Sequence, residues 1–196
     1  ESLSNEGRAL CEDAEHNLCV GLKNGKLRVY GNDHSERGYL TEAGTISHAG
    51  APLKGNVYFI YQDSKSNLWI ATKGEGLVKA EPRNGMCYKL TRYRHRKEDI
   101  YSLSDDNVYC VYEDSRGRIW VATFGGGVNY LTHNQDGEEI FVSHRNNLKG
   151  FPIDKCHKVR FITGDHRGNI WIATTVGALR VNGDFKNPEA AVFHHY

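Results

Sequence analysis

Short apolar runs of four to six residues, separated by polar turns, recur along the whole chain. One cycle holds an apolar segment, a turn opened by Asp, and a second apolar segment. A Gly-containing loop, a third segment and a looser fourth follow. The first segments fall at 9–11, 57–61, 108–112 and 159–162. The third fall at 26–30, 76–80, 127–131 and 178–181, and the fourth are clearest at 88–93, 140–145 and 191–195. Runs this short, rich in Val, Ile, Tyr and Trp and bounded by Gly, Asp and Asn, predict strands joined by tight hairpins.

The second segment carries the strongest internal repeat. Trp69, Trp120 and Trp171 recur at a constant spacing of 51 residues. They lie in Asp63-Ser-Lys-Ser-Asn-Leu-Trp-Ile-Ala-Thr72, Asp114-Ser-Arg-Gly-Arg-Ile-Trp-Val-Ala-Thr123 and Asp165-His-Arg-Gly-Asn-Ile-Trp-Ile-Ala-Thr174. A weaker copy, Asp13-Ala-Glu-His-Asn-Leu-Cys-Val-Gly-Leu22, has Cys19 in place of Trp. In these turns an Asp carboxylate can bond amides just ahead of it, and Gly117 supplies a positive φ. Ser66 and His16 replace that Gly in two copies, which predicts turns that are strained or differently shaped. Each unit therefore reads as a four-stranded antiparallel meander. A single such sheet cannot bury both of its faces, whereas radial stacking of copies does, as in a β-propeller. The expected fold is all-β, four propeller blades in one segment covering 1–196, with repeats near 2–48, 49–101, 102–151 and 152–196.

Composition narrows the function. Charged residues make up 25%, hydrophobic ones 39%, and the net charge of +1 argues against a polyanion-binding surface. No apolar run approaches the length of a membrane-spanning helix, so no direct membrane insertion is expected. Five cysteines without close pairs suggest neither a zinc site nor a disulfide framework, and Cys11, Cys19 and Cys110 fall in strand-like runs. The His residues show no metal spacing, and no nucleophile or phosphate-loop motif is present. No metal, cofactor or nucleic-acid partner is expected.

The segment from Ser102 through Asp114, Trp120 and Thr123 to Val128 resembles the two-component regulator propeller repeat. Four copies of that resemblance cover essentially the whole chain. It implies the periplasmic sensor region of a hybrid two-component histidine kinase, part of an inner-membrane protein, in which propellers have more than four blades. It further implies an oligosaccharide ligand derived from complex glycans, a homodimer, and signal transmission to a kinase elsewhere in the parent protein. Ser2-Leu3-Ser4 matches Ser102-Leu103-Ser104 at a repeat start, and His194, His195 and Tyr196 end a last strand. This fits a compact four-bladed ring or an arc of a larger one; the larger rings of the family favour the arc, which is expected to associate with further blades or with another copy. The alternative is a propeller enzyme acting on glycans, a lyase or hydrolase.

Candidate binding residues lie where loops vary on a constant scaffold. The position after the repeat Thr is Lys73, Phe124 or Thr175, with Glu75 beside the first. A basic run offers Arg92, Arg94 and Arg96, which share one side if the outer strand continues through them. Arg forks suit carboxylates and sulfates, and the competing reading is charge protecting an edge strand. Asp63, Asp114 and Asp165 are expected as turn residues, and Trp69, Trp120 and Trp171 as core, with no catalytic set.

Overall fold

Every apolar run of the repeat forms a strand, and every Asp turn closes a hairpin. The structure, a computed structural model, describes residues 6–196, so the reading of Ser2, Leu3 and Ser4 as a repeat start lies outside the described residues. The first sheet runs β1 (Gly7–Glu12), β2 (Leu18–Leu22), β3 (Leu27–Tyr30), β4 (Glu36–Leu40) and β5 (Ile46–Ser47). The second holds β6 (Asn56–Gln62), β7 (Leu68–Lys73), β8 (Leu77–Arg83) and β9 (Cys87–Tyr93). The third holds β10 (Val108–Glu113), β11 (Ile119–Thr123), β12 (Gly127–His133) and β13 (Glu139–Ser143). The fourth holds β14 (Val159–Gly164), β15 (Asn169–Thr174), β16 (Gly177–Asn182) and β17 (Phe193–His195). All are antiparallel meanders with neighbours paired in chain order, the propeller-blade topology. The chain divides into two compact units, one ending at Tyr93 and the other spanning Arg94–Tyr196, each with two sheets.

Two expectations are corrected and a third is decided between its alternatives. The first meander has five strands, because Tyr39 and Leu40 pair with Ser47 and Ile46 after the turn at Gly44. The outer strand of the second sheet stops at Tyr93, so Arg94 and Arg96 are not strand residues. The Asp turns share one backbone shape: φ is 61° at His16 and 64° at Ser66, against 75° at Gly117 and 76° at Gly168. His16 and Ser66 thus hold a left-handed conformation that glycine adopts freely, so these two turns are strained rather than differently shaped. A single helical turn, α1 (Ile153–Cys156), sits in the connection between the third and fourth sheets.

The Asp at the head of each turn is the hub of its hairpin. Asp63 Oδ1 accepts from the amides of Lys65 and Asn67, and its Oδ2 accepts from Asn67 Nδ2 and, at 2.7 Å, from Trp69 Nε1. Asp114 repeats the pattern with Arg116, Arg118 and Trp120, its Arg118 ion pair at 2.7 Å replacing the Asn contact. Asp165 repeats it with Arg167, Asn169 and Trp171. Asp13 holds the Glu15 and Asn17 amides and the Asn17 side chain, with no indole to receive. The indole bond explains the Trp six residues after Asp63, Asp114 and Asp165: an indole N–H removed from water needs an acceptor.

Each unit packs its own core. In the first, Cys19, Leu27, Leu40, Val57, Ile70 and Val78 are buried together. In the second, Val108, Cys110, Trp120, Val121, Val159 and Ile172 are buried. Trp69 and Trp120 are buried, and Trp171 is half-buried. All five cysteines are free thiols, and burial pushes those of Cys19 and Cys110 up to about 12, which makes them poor nucleophiles.

Candidate functional site

The first strand of every sheet breaks register at the same place. One extra residue bulges out between Gly7 and Ala9, between Val57 and Phe59, between Val108 and Cys110, and between Val159 and Phe161. The bulged residues are Arg8, Tyr58, Tyr109 and Arg160. A bulge twists the strand and re-aims its side chain, a device common beside binding sites.

The loop between the second and third strands is fastened next to this bulge. Thr72, Thr123 and Thr174 each donate a side-chain hydrogen bond to the carbonyl of the Gly that follows the loop, at 2.7–2.8 Å. Gly127 occupies one of these positions with φ +72°, and a Cβ there would stand 2.5 Å from the Phe151 ring. The residue after the Thr is then tied to the residue that precedes the first strand. Lys23 N donates to Glu6 O at 3.0 Å, Phe124 N to Asn107 O at 2.8 Å and Thr175 N to Lys158 O at 3.2 Å. Asn56 pairs with Lys73 in the same way. Each repeat therefore presents three side chains at one end of its sheet: the residue before the first strand, the bulge and the loop residue.

In the second unit these positions converge. Phe124 stacks on Tyr109 with centroids 4.8 Å apart and planes 20° apart. The Arg160 guanidinium lies 4.9 Å from the Phe124 centroid and Lys158 Nζ lies 5.6 Å from it. Phe124 and Lys158 are also bridged through their backbones. The rings are half-buried and the two cations are exposed. Asp105 lies beside Gly125, with its Oδ1 taken up by the amide and side chain of Asn107. In the first unit, Arg8 lies 5.4 Å from the Tyr58 centroid, but Glu6 takes its guanidinium at 2.6 Å and Lys23 Nζ at 3.4 Å.

The structure separates the other sequence candidates. Lys73 is exposed at the end of β7, and Glu75 lies in the following loop. Arg92 is committed internally, donating to the Glu75 carbonyl at 3.1 Å and to Glu42 at 2.8 Å. Arg94 pairs with Asp106 at 3.0 Å, and Arg96 sits in a loop whose carbonyls are held by Arg145. Thr175 is exposed next to Lys158. Of the named candidates only Phe124 and Thr175 adjoin the cation–aromatic cluster. Sequence reasoning missed Tyr109, Lys158 and Arg160. One signal was available: Val57 and Ile60, like Val159 and Ile162, are buried three residues apart, an odd spacing that a regular strand cannot place on one face. Among the described residues, no group of three or more His, Cys, Asp or Glu side chains is placed to hold a metal ion.

Comparison with known proteins places these repeats. The family description "Two component regulator propeller" matches residues 52–74 and 102–125. A curated relative, Histidine kinase P4 of Formosa agariphila, is 30% identical over 88 residues, 45% of this chain and 6% of that protein. The extracellular domain assigned to a hybrid two-component system of B. thetaiotaomicron superposes with a TM-score of 0.65 at 24% identity, covering 91% of this chain and 22% of that one. Virginiamycin B lyase from Staphylococcus aureus, crystallised with quinupristin, superposes at 0.66 and 12% identity, covering 100% of this chain and 57% of the lyase. The two structural likenesses establish the fold alone. The chain thus spans a small part of the kinase and of the sensor domain it resembles. Among the described residues, no helix is long and apolar enough to cross a membrane.

Proposed function

Because the chain carries two-component regulator propeller repeats, we propose that it is an extracytoplasmic ligand-sensing segment of a hybrid histidine kinase, binding a glycan-derived oligosaccharide. The observation that carries this reading is the division of labour within the repeat. Asp, Trp and Thr anchor the scaffold, while the combination at the sheet end differs between copies: Glu6 with Arg8 and Lys23, Asn56 with Tyr58 and Lys73, Asn107 with Tyr109 and Phe124, and Lys158 with Arg160 and Thr175. A constant frame with variable side chains at one end is the economy of a recognition surface.

Binding transmits a signal only if the ligand prefers one of two arrangements of the parent protein. The coupling cannot exceed that difference in affinity. In this reading the segment works with further propeller blades and within a homodimer in the periplasm, and the phosphotransfer chemistry lies elsewhere in the parent chain.

A second reading, a glycan-active lyase, is favoured by the fold shared with virginiamycin B lyase. It requires an acid and a base converging on one substrate. The cluster in the second unit instead joins two rings and two cations, groups that seat a ring or an anion. The deciding experiment titrates the protein with neutral and anionic oligosaccharides by calorimetry and chromatographs the mixture afterwards. Binding with the saccharide recovered intact is expected, and turnover overturns the sensing role.

A further inference from the structure

We infer that the cluster of Tyr109, Phe124, Lys158 and Arg160 is an anion-recognition subsite for a sugar ring bearing a carboxylate or sulfate, an inference that rests on the sensing role proposed above. Phe124, stacked on Tyr109, is the aromatic platform against which both cations are held. Lys158 and Arg160 stand at that same ring, and neither forms an ion pair among the described residues. The bulge and the backbone bridge from Phe124 to Lys158 hold the two positive charges close together. Their mutual repulsion is relieved by an anion placed between them, and the planar Arg fork matches a carboxylate or sulfate.

The first unit supplies an independent observation. Its equivalent bulge cation, Arg8, also lies over a ring, that of Tyr58, and its loop cation is Lys23. There the residue before the first strand is Glu6, whose carboxylate accepts from both cations. The corresponding residue of the fourth repeat is Lys158, fixed by the same loop-to-strand hydrogen bond. The first repeat thus carries an internal carboxylate between two cations beside a ring. The fourth carries two cations beside a ring, and leaves the carboxylate to the ligand.

The test uses the whole chain and three probes in calorimetry: inorganic sulfate, a uronic-acid disaccharide and an uncharged disaccharide of the same ring framework. The uronate is expected to bind at least about tenfold more tightly than the uncharged sugar, equivalent to about 1.4 kcal/mol. The preference should shrink as salt is raised. A Lys158→Ala/Arg160→Ala double variant should lose the preference while keeping its melting temperature, and Phe124→Ala, which removes the ring that both cations lie against, should weaken uronate binding. Arg160→Lys, which keeps the charge but not the fork, should fall between.

Equal affinity for charged and uncharged sugars, or a double variant that keeps the preference, overturns the subsite while leaving saccharide sensing intact. Sulfate binding lost in the double variant, with no saccharide bound at millimolar concentration, retains the charge assignment and overturns the glycan reading. Absence of binding by all three probes overturns both.

Discussion

Where unit 1 sets Glu6 between Arg8 and Lys23, unit 2 sets Lys158 beside Arg160, on the same backbone and at the same bulge. The two ends differ by a reversal of charge at one repeat position, Glu6 against Lys158, and by Thr175 in place of Lys23 at another. The scaffold tolerates both because these side chains lie outside the buried core, so their exchange costs little packing. The turns at the opposite end are far less free. Each Asp there is already bonded to backbone amides, and in three of four copies to an indole as well.

The largest expected contrast between the units lies in those turns. Asp114→Ala strands the buried Trp120 indole and the Arg118 guanidinium, so it should destabilise unit 2 by about 3 kcal/mol. Asp13→Ala removes only amide and Asn17 contacts and should cost unit 1 about 1 kcal/mol. Hydrogen exchange measured separately at 9–30 and 108–131 reads each unit, and equal losses would remove the indole from the explanation.

Acid should loosen the turn of the fourth sheet. The Trp171 indole, followed by the Asn169 side chain, holds the Asp165 carboxyl well below the usual carboxylate range. A depressed native value adds stability above the unfolded value of about 3.9 and loses it as pH falls through and below that value. The fourth sheet should therefore lose exchange protection progressively below about pH 5, and Asp165→Asn should flatten that dependence. An unchanged profile in the variant would assign acid sensitivity to other groups.

Converting one end into the other is a subtler change. Glu6→Gln releases Arg8 and Lys23 from their carboxylate, and sulfate titration should then report two sites per chain where the parent reports one. A stoichiometry that stays at one would mean that the ring–cation geometry of unit 1 is insufficient by itself. The smallest effect concerns backbone strain. Ser66→Gly should stabilise the second hairpin by about 1 kcal/mol, and Gly117→Ser should destabilise the third by a similar amount, both readable as shifts in urea midpoint.

Much of this architecture is legible from residue order, because strand alternation, turn chemistry and a fixed Trp period are local properties. The Asp turns and their strands follow from segments of about ten residues. Phe124 emerged as a candidate because it varies against a constant frame. Arg92 and Arg94 were legible as charges but not as consumed ones, since their partners Glu42 and Asp106 are distant in sequence or lie across a loop. The fifth strand escaped because its two residues carry almost no pattern of their own and depend on β4 for pairing.

By itself, then, the sequence determined the repeat, the blade topology and the placing of Asp in turns and Trp in the core, since each arises from patterns within a single hairpin. Only the tertiary structure decided which side chains share a site. Tyr109, Phe124, Lys158 and Arg160 come from two different sheets and meet through a register break and a backbone bridge. Long-range pairing of that kind follows from how the sheets pack, which no local pattern encodes.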